Sequence, residues 1–122
     1  MAATTQKTLL ASAARTASVN SDDQKNAYHR GVRVHIKVTA DPAAASLTYT
    51  IEGKDQITGT YYTLLASAAV AAVGDTFLLV YPGATVTSNV SANSALPAWW
   101  RVKCTAADSD SFTYQVTAEL LV

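Results

Sequence analysis

One cysteine, two histidines and no apolar run long enough to cross a bilayer set the first limits on this chain of 122 residues. Cys104 has no partner for an internal disulfide, and it stands in phase with Trp100 and Val102 as a small core residue. His29 and His35 lack the spacing of a zinc motif, and Arg33 and Lys37 flank His35 in phase, which makes that face a poor cation site. Gly-x-Ser-x-Gly, a phosphate-cradling glycine loop and EF-hand offsets are all missing. No catalytic residue, metal or cofactor is therefore expected.

Charge is scarce as well. Nine basic residues balance nine acidic ones, so no net field draws in nucleic acid or an anionic membrane, and neither is expected as a partner. Charged residues make up 15% of the chain, below the usual quarter. A surface covered by neighbours is one reading of that figure, and a plain soluble monomer is the other. Between Lys7 and Arg15 the apolar stretch is too short for a secretory core, so synthesis and first folding in the cytoplasm are expected.

What is present is alternation. From Ala98 to Val122, Trp100, Val102 and Cys104 fall on one face against Trp99, Arg101, Lys103 and Thr105, and Phe112, Tyr114, Val116, Ala118 and Leu120 oppose Thr113, Gln115, Thr117 and Glu119. The cluster Ala107 to Ser111 between these runs predicts a β-hairpin with its turn at Asp108 and Asp110, whose side chains cap their own backbone. Val32, Val34, Ile36 and Val38 mark another half-buried strand. Further strands are expected at Leu47 to Glu52, Tyr61 to Leu65 and Thr76 to Tyr81, with one helical turn or a tight crossing over residues 66–75 and an irregular connection over 84–97.

Six strands separated by turns, too long a core face for a lone hairpin and no Gly-rich βα unit predict an all-β, antiparallel β-sandwich, Ig-like or jelly-roll-like, with a closed small barrel as runner-up. Residues 27–122 form that domain. Residues 1–26 read as an extended N-terminal arm that adds a strand to the sheet or reaches a neighbouring subunit, and helix is equally permitted by its alanines.

Two surface features merit weighing. Arg33, Lys37, Arg101 and Lys103 each take the polar side of a strand, and together with His35 they would form a phosphate-binding or carboxylate-binding ladder if the strands shared a sheet; Glu52, Glu119 and Gln115 would equally neutralise it. In the adjacent pairs Tyr61-Tyr62 and Trp99-Trp100 one ring of each should face the core and the other outward. An outward Trp99 with an outward Tyr suits stacking on a sugar, anchoring a protein interface, or packing under the 84–97 connection.

The succession Tyr61-Tyr62-Thr63-Leu64-Leu65-Ala66-Ser67, Val80-Tyr81-Pro82-Gly83, Leu96-Pro97-Ala98-Trp99-Trp100-Arg101-Val102 and Asp108-Ser109-Asp110-Ser111-Phe112-Thr113-Tyr114 resembles small structural proteins of tailed bacteriophages, as does Arg30-Gly31-Val32-Arg33-Val34. The resemblance spans residues 28–122 and carries no catalytic signature. It implies a non-enzymatic virion component, foremost a decoration or cement protein binding the major capsid protein, or other virion proteins, as a homo-oligomer with a trimer as one option. Such a protein gains affinity by multivalent contact, and an arm adding a strand to a neighbour's edge would supply it. Lys7, Leu9, Leu10 and Arg15 of the arm, with Trp99 and Tyr81 on the body, are the expected interface. A glycan-binding adhesion module and a tail or neck component are the alternatives.

Overall fold

The computed structural model describes residues 4–43 and 45–122, so the first three residues of the expected arm lie outside the described residues. Among the described residues there are ten strands and no helix: β1 (Thr5–Arg15), β2 (Val19–Asn20), β3 (Gln24–Lys25), β4 (Gly31–Ala40), β5 (Leu47–Lys54), β6 (Tyr61–Ala66), β7 (Gly74–Val80), β8 (Ser91–Ala92), β9 (Trp99–Ala106) and β10 (Phe112–Leu121). Sheet A runs in the order β1-β10-β4-β7-β8, and sheet B in the order β2-β9-β5-β6 with β3 also against β9. Only β7 and β8 pair in parallel.

The two sheets are packed together because each is oily on one side. Val32, Val34, Ile36 and Val38 of β4 and the even-numbered residues of β10 point inward from sheet A. Tyr49, Ile51, Trp100, Val102 and Cys104 meet them from sheet B. A large apolar side chain so placed stabilises the fold by about 1.5–3 kcal/mol. The β-sandwich expected from the alternation is thus the fold.

One expected pairing is absent. β9 pairs with β5, while β10 pairs with β1 and β4, so the strands either side of Asp108 belong to different sheets and their connection crosses from one to the other. Alternation names the face a side chain takes, and two strands facing each other across a core show the same alternation as two lying side by side. The Asx cap is as read: the Asp110 amide donates to Asp108 Oδ1 over 3.0 Å.

Residues 5–15 form an edge strand of the body's own sheet A, pairing with β10 from Thr5 opposite Leu120 to Arg15 opposite Phe112. The register shifts between Thr8 and Leu10 and again between Leu10 and Ala13. Arg15 closes the second irregularity, its guanidinium donating to the carbonyls of Ala11 at 2.6 Å and Tyr114 at 2.8 Å while lying 4.6 Å from the Tyr114 ring centre. Residues 18–26 seal the edge of sheet B: the Ser21 hydroxyl accepts from the Val102 amide and the Ser18 hydroxyl from the Ala106 amide.

Candidate functional site

Each outer face of the sandwich carries its own constellation. On sheet B, Arg101 Nε donates to Glu52 Oε1 over 2.9 Å, Lys54 Nζ to Asp23 Oδ2 over 2.8 Å, and the Tyr61 hydroxyl to Asp23 Oδ1 over 2.8 Å. The Arg101 guanidinium lies over the Tyr61 ring, which joins the two ion pairs into one cluster. Hydrogen bonds from Lys54 and Tyr61 hold the Asp23 carboxyl below its ordinary range, and the Asp23 carboxylate raises Lys54. Glu52 and Arg101 have side chains only 10% and 17% exposed, so this cluster closes on itself and pins the Asp23 segment to β5 and β6.

Sheet A presents a more open face. His35 on β4 and Phe77 on β7 are directly opposite, and their rings stack at 4.3 Å with planes 11° apart. His35 Nε2 lies 2.8 Å from Asp75 Oδ1, the first reason that carboxyl is held low, and Lys37 lies 3.8 Å from the same oxygen. Arg33 Nη1 donates to Glu119 Oε1 over 3.0 Å, and Gln6 Nε2 approaches Glu119 Oε2 at 3.4 Å. Between these pairs runs a groove of about 520 Å³ whose floor includes Thr8 and Thr117. Phe77, 52% exposed, borders it.

Phe77 also borders a second groove of about 460 Å³, lined by the small and aliphatic residues 68–74 together with Val90 and by the polar Ser67, Asp75, Thr76, Ser88 and Asn89. Val73 and Val90 are 61% and 49% exposed. The most exposed large apolar side chain among the described residues stands elsewhere. Ile57, 96% exposed, tops the turn joining β5 to β6, where Asp55 Oδ1 accepts from the Ile57 and Thr58 amides at 2.9 and 3.3 Å and Gly59 adopts a φ of +75°.

The cationic ladder is not assembled. Arg33 and Lys37 lie on sheet A, Arg101 and Lys103 on sheet B, so the two pairs face away from each other, and Glu119 and Glu52 neutralise one arginine on each side. Nor are the expected interface residues brought together. Lys7 lines the polar groove, Leu9 and Leu10 pack against the core from β1, and the Arg15 donors are taken up by carbonyls of this chain. Tyr81, half-buried beyond β7, donates its hydroxyl to the Val122 carbonyl at 2.7 Å, and Trp99, also half-buried, is opposite Lys25 in sheet B.

The Tyr pair departs from the expected in-and-out arrangement. Tyr61 lies under Arg101 on the outer face, while Tyr62, 44% exposed, lays its ring against Gly53. The register shift between Ile51 and Glu52 and the edge position of β6 leave neither ring fully inside. Alternation alone did not single out Ile57, Phe77, Val73 or Val90. The signal for Ile57 was in the chain: a lone isoleucine within Asp55-Gln56-Ile57-Thr58-Gly59-Thr60, where turn chemistry forbids burial.

Among the described residues no three His, Cys, Asp or Glu side chains gather in a way that could hold a metal ion, and no helix is long and apolar enough to cross a membrane. No protein-family model matches the chain, and no curated protein matches it.

Proposed function

We propose that this chain is a non-enzymatic structural protein of a tailed-bacteriophage virion, most specifically a decoration or cement protein that binds the major capsid protein as a homo-oligomer. The resemblance over residues 28–122 motivates the reading. The observation that carries it is a division of the surface: Arg33 and Arg101 on the outer faces are taken up in cross-strand pairs with Glu119 and Glu52, while Ile57, Val73, Phe77 and Val90 are left to solvent. A surface of that kind is suited to lying against protein rather than to turning over a substrate.

Mass spectrometry of purified virions from the phage that carries the gene tests this. The chain is expected in many copies in the head fraction; its absence from virions would end the proposal, and its confinement to tails would move it to the tail or neck.

The groove on sheet A favours one second reading, glycan binding. An exposed ring beside fixed planar polar groups, here Phe77 with Arg33, Glu119 and Gln6, suits a sugar that offers an apolar face and a rim of hydroxyls. A glycan array with the purified chain separates the two: binding lost in Phe77→Ala and kept in Trp99→Ala places the sugar in this groove, and a blank array removes the reading.

A further inference from the structure

Of the described strands longer than two residues, β1 alone has no buried residue. Its share of the interior is Leu9 and Leu10, both half-buried at the margin of the core. It lies at the end of sheet A, paired with β10 alone, and the two register shifts interrupt that pairing. A strand with so little apolar burial and one broken ladder opens at lower free energy than the strands beneath it.

β10 is the opposite case. Phe112, Tyr114, Val116, Ala118 and Leu120 are all buried, and β4 holds its other side from Ala40 to Gly31. Lifting β1 therefore leaves β10 in place and turns its freed backbone amides and carbonyls into a strand-binding edge. What fits that edge is fixed by the register: Thr5 opposite Leu120, Thr8 opposite Thr117, Arg15 opposite Phe112. Every copy of the chain carries one such strand and one such edge.

The chain leaves β1 through Thr16, Ala17 and Ser18, all exposed and outside any strand, and enters β2 on sheet B. The Ser18 hydroxyl is held by the Ala106 amide, so the bend that lays β1 on its own body falls to Thr16 and Ala17. Arg15 is the latch at that end. Its guanidinium holds β10 through the Tyr114 carbonyl at 2.8 Å and the Tyr114 ring, while its bonds to the Ala11 and Ala13 carbonyls lie within β1 and travel with it. Opening breaks the first set, and docking on the Tyr114 of another copy remakes it.

We propose that β1 is exchanged between copies of this chain, each giving Thr5–Arg15 to the β10 edge of the other, with Arg15 setting how fast the strand is released. The exchanged pair repeats the contacts of the closed chain outside residues 16–18, and the same surfaces meet twice about a two-fold axis. A strand on so short a tether competes at an effective concentration of about millimolar, so exchange belongs to crowded copies. The inference rests on the virion reading only for that crowding, and it gives the homo-oligomer its interface.

The test uses the full-length chain in solution with no particle present. Thr8 and Thr117 are direct partners, so Thr8→Cys and Thr117→Cys are placed on separate chains, each with Cys104→Ala, mixed and oxidised. A disulfide between the two chains is expected to accumulate well above the level given by Thr58→Cys in place of Thr117→Cys, since Thr58 stands on an exposed turn and reports collision alone. Arg15→Met in the Thr8→Cys chain should hasten it about tenfold, through loss of a charged hydrogen bond that holds the closed state. Amide exchange of the wild type needs no substitution to fold, and it should show residues 5–15 opening together, ahead of β4. Cross-linking at the collision level, a rate indifferent to Arg15→Met, or β1 amides that exchange only with those of β4 would each overturn the proposal. Opening of β1 without cross-linking would leave the edge to a strand of another protein and overturn it too. Cross-linking by a chain absent from virions would keep the exchange and remove the virion reading.

Discussion

The guanidinium of Arg101 lies 3.5 Å from the centre of the Tyr61 ring while the Tyr61 hydroxyl bonds Asp23, so one side chain joins two ion pairs through a face and an edge. Removing the arginine strands Glu52, whose side chain is 10% exposed. Arg101→Ala is expected to cost about 3 kcal/mol in urea unfolding, near the lower bound for breaking a buried pair. Tyr61→Phe, which deletes only the hydroxyl, should cost about 1 kcal/mol. Equal and negligible effects of both would show that the cluster is ornamental.

The opposite sign is expected at Tyr49. Its ring is fully buried edge-on to Tyr114, but its hydroxyl has no hydrogen-bond partner among the protein atoms, and burial pushes its ionisation far up. Tyr49→Phe keeps the packing and removes a desolvated group, so stability should rise by about 1 kcal/mol. A comparable loss would reveal a partner for that hydroxyl.

Stability should fall at both ends of the pH range, for different reasons. Asp23, Asp55 and Asp75 are held below their ordinary values, first by Lys54, by the Ile57 amide and by His35 respectively. A depressed acid binds fewer protons folded than unfolded, so its contribution is present above about pH 4 and disappears as pH falls through the depressed value. Cys104 runs the other way: burial pushes its thiol up to about 12, so stability is lost as pH rises from about 8.5, where the unfolded thiol ionises. Lys54, raised by Asp23, adds a further loss above about pH 10. Thermal melts should plateau between about pH 5 and 8, with the acid limb flattened in Asp75→Asn and the alkaline limb in Cys104→Ala. Unchanged limbs in both variants would sink the assignment.

Two glycines should respond unequally to a methyl group. A Cβ on Gly31 would stand 2.3 Å from the Val80 carbonyl oxygen, which belongs to the neighbouring backbone, whereas a Cβ on Gly53 would meet the far end of the Tyr62 ring at 2.4 Å. Tyr62 is partly exposed and can swing away; β7 cannot. Gly31→Ala should cost about 2–3 kcal/mol and Gly53→Ala less than about 1. Reversed costs in chemical denaturation would mean that the Tyr62 ring is the fixed element.

The faces of the strands were readable because burial of one side imposes a period of two, and the inward sets of β4, β9 and β10 are the core residues found. Which strand lies beside which was not readable. Arg33 and Arg101 look alike in sequence, each outward between apolar neighbours, yet they lie on opposite surfaces because strand order depends on contacts far apart in the chain. For the same reason the sequence does not show that Arg15 donates to carbonyls of its own chain or that Trp99 stands half-buried opposite Lys25. In Thr76 to Tyr81 both faces carry apolar residues, so the alternation does not say which face is inner, and pairing with His35 sets Phe77 on the outer one.

Because β10 runs between β1 and β4, neither of those strands has its inner neighbour until the last of the ten has been made. On a ribosome, β1 must wait for a partner over a hundred residues downstream, from Thr5 to Leu120, and the valine-rich flank of β4 stays bare until then. Closure of sheet A is therefore a late and collective event, slow in the manner of chains whose pairings are far apart in sequence. Any truncation that removes Phe112 to Leu121 deprives two strands at once rather than trimming an end.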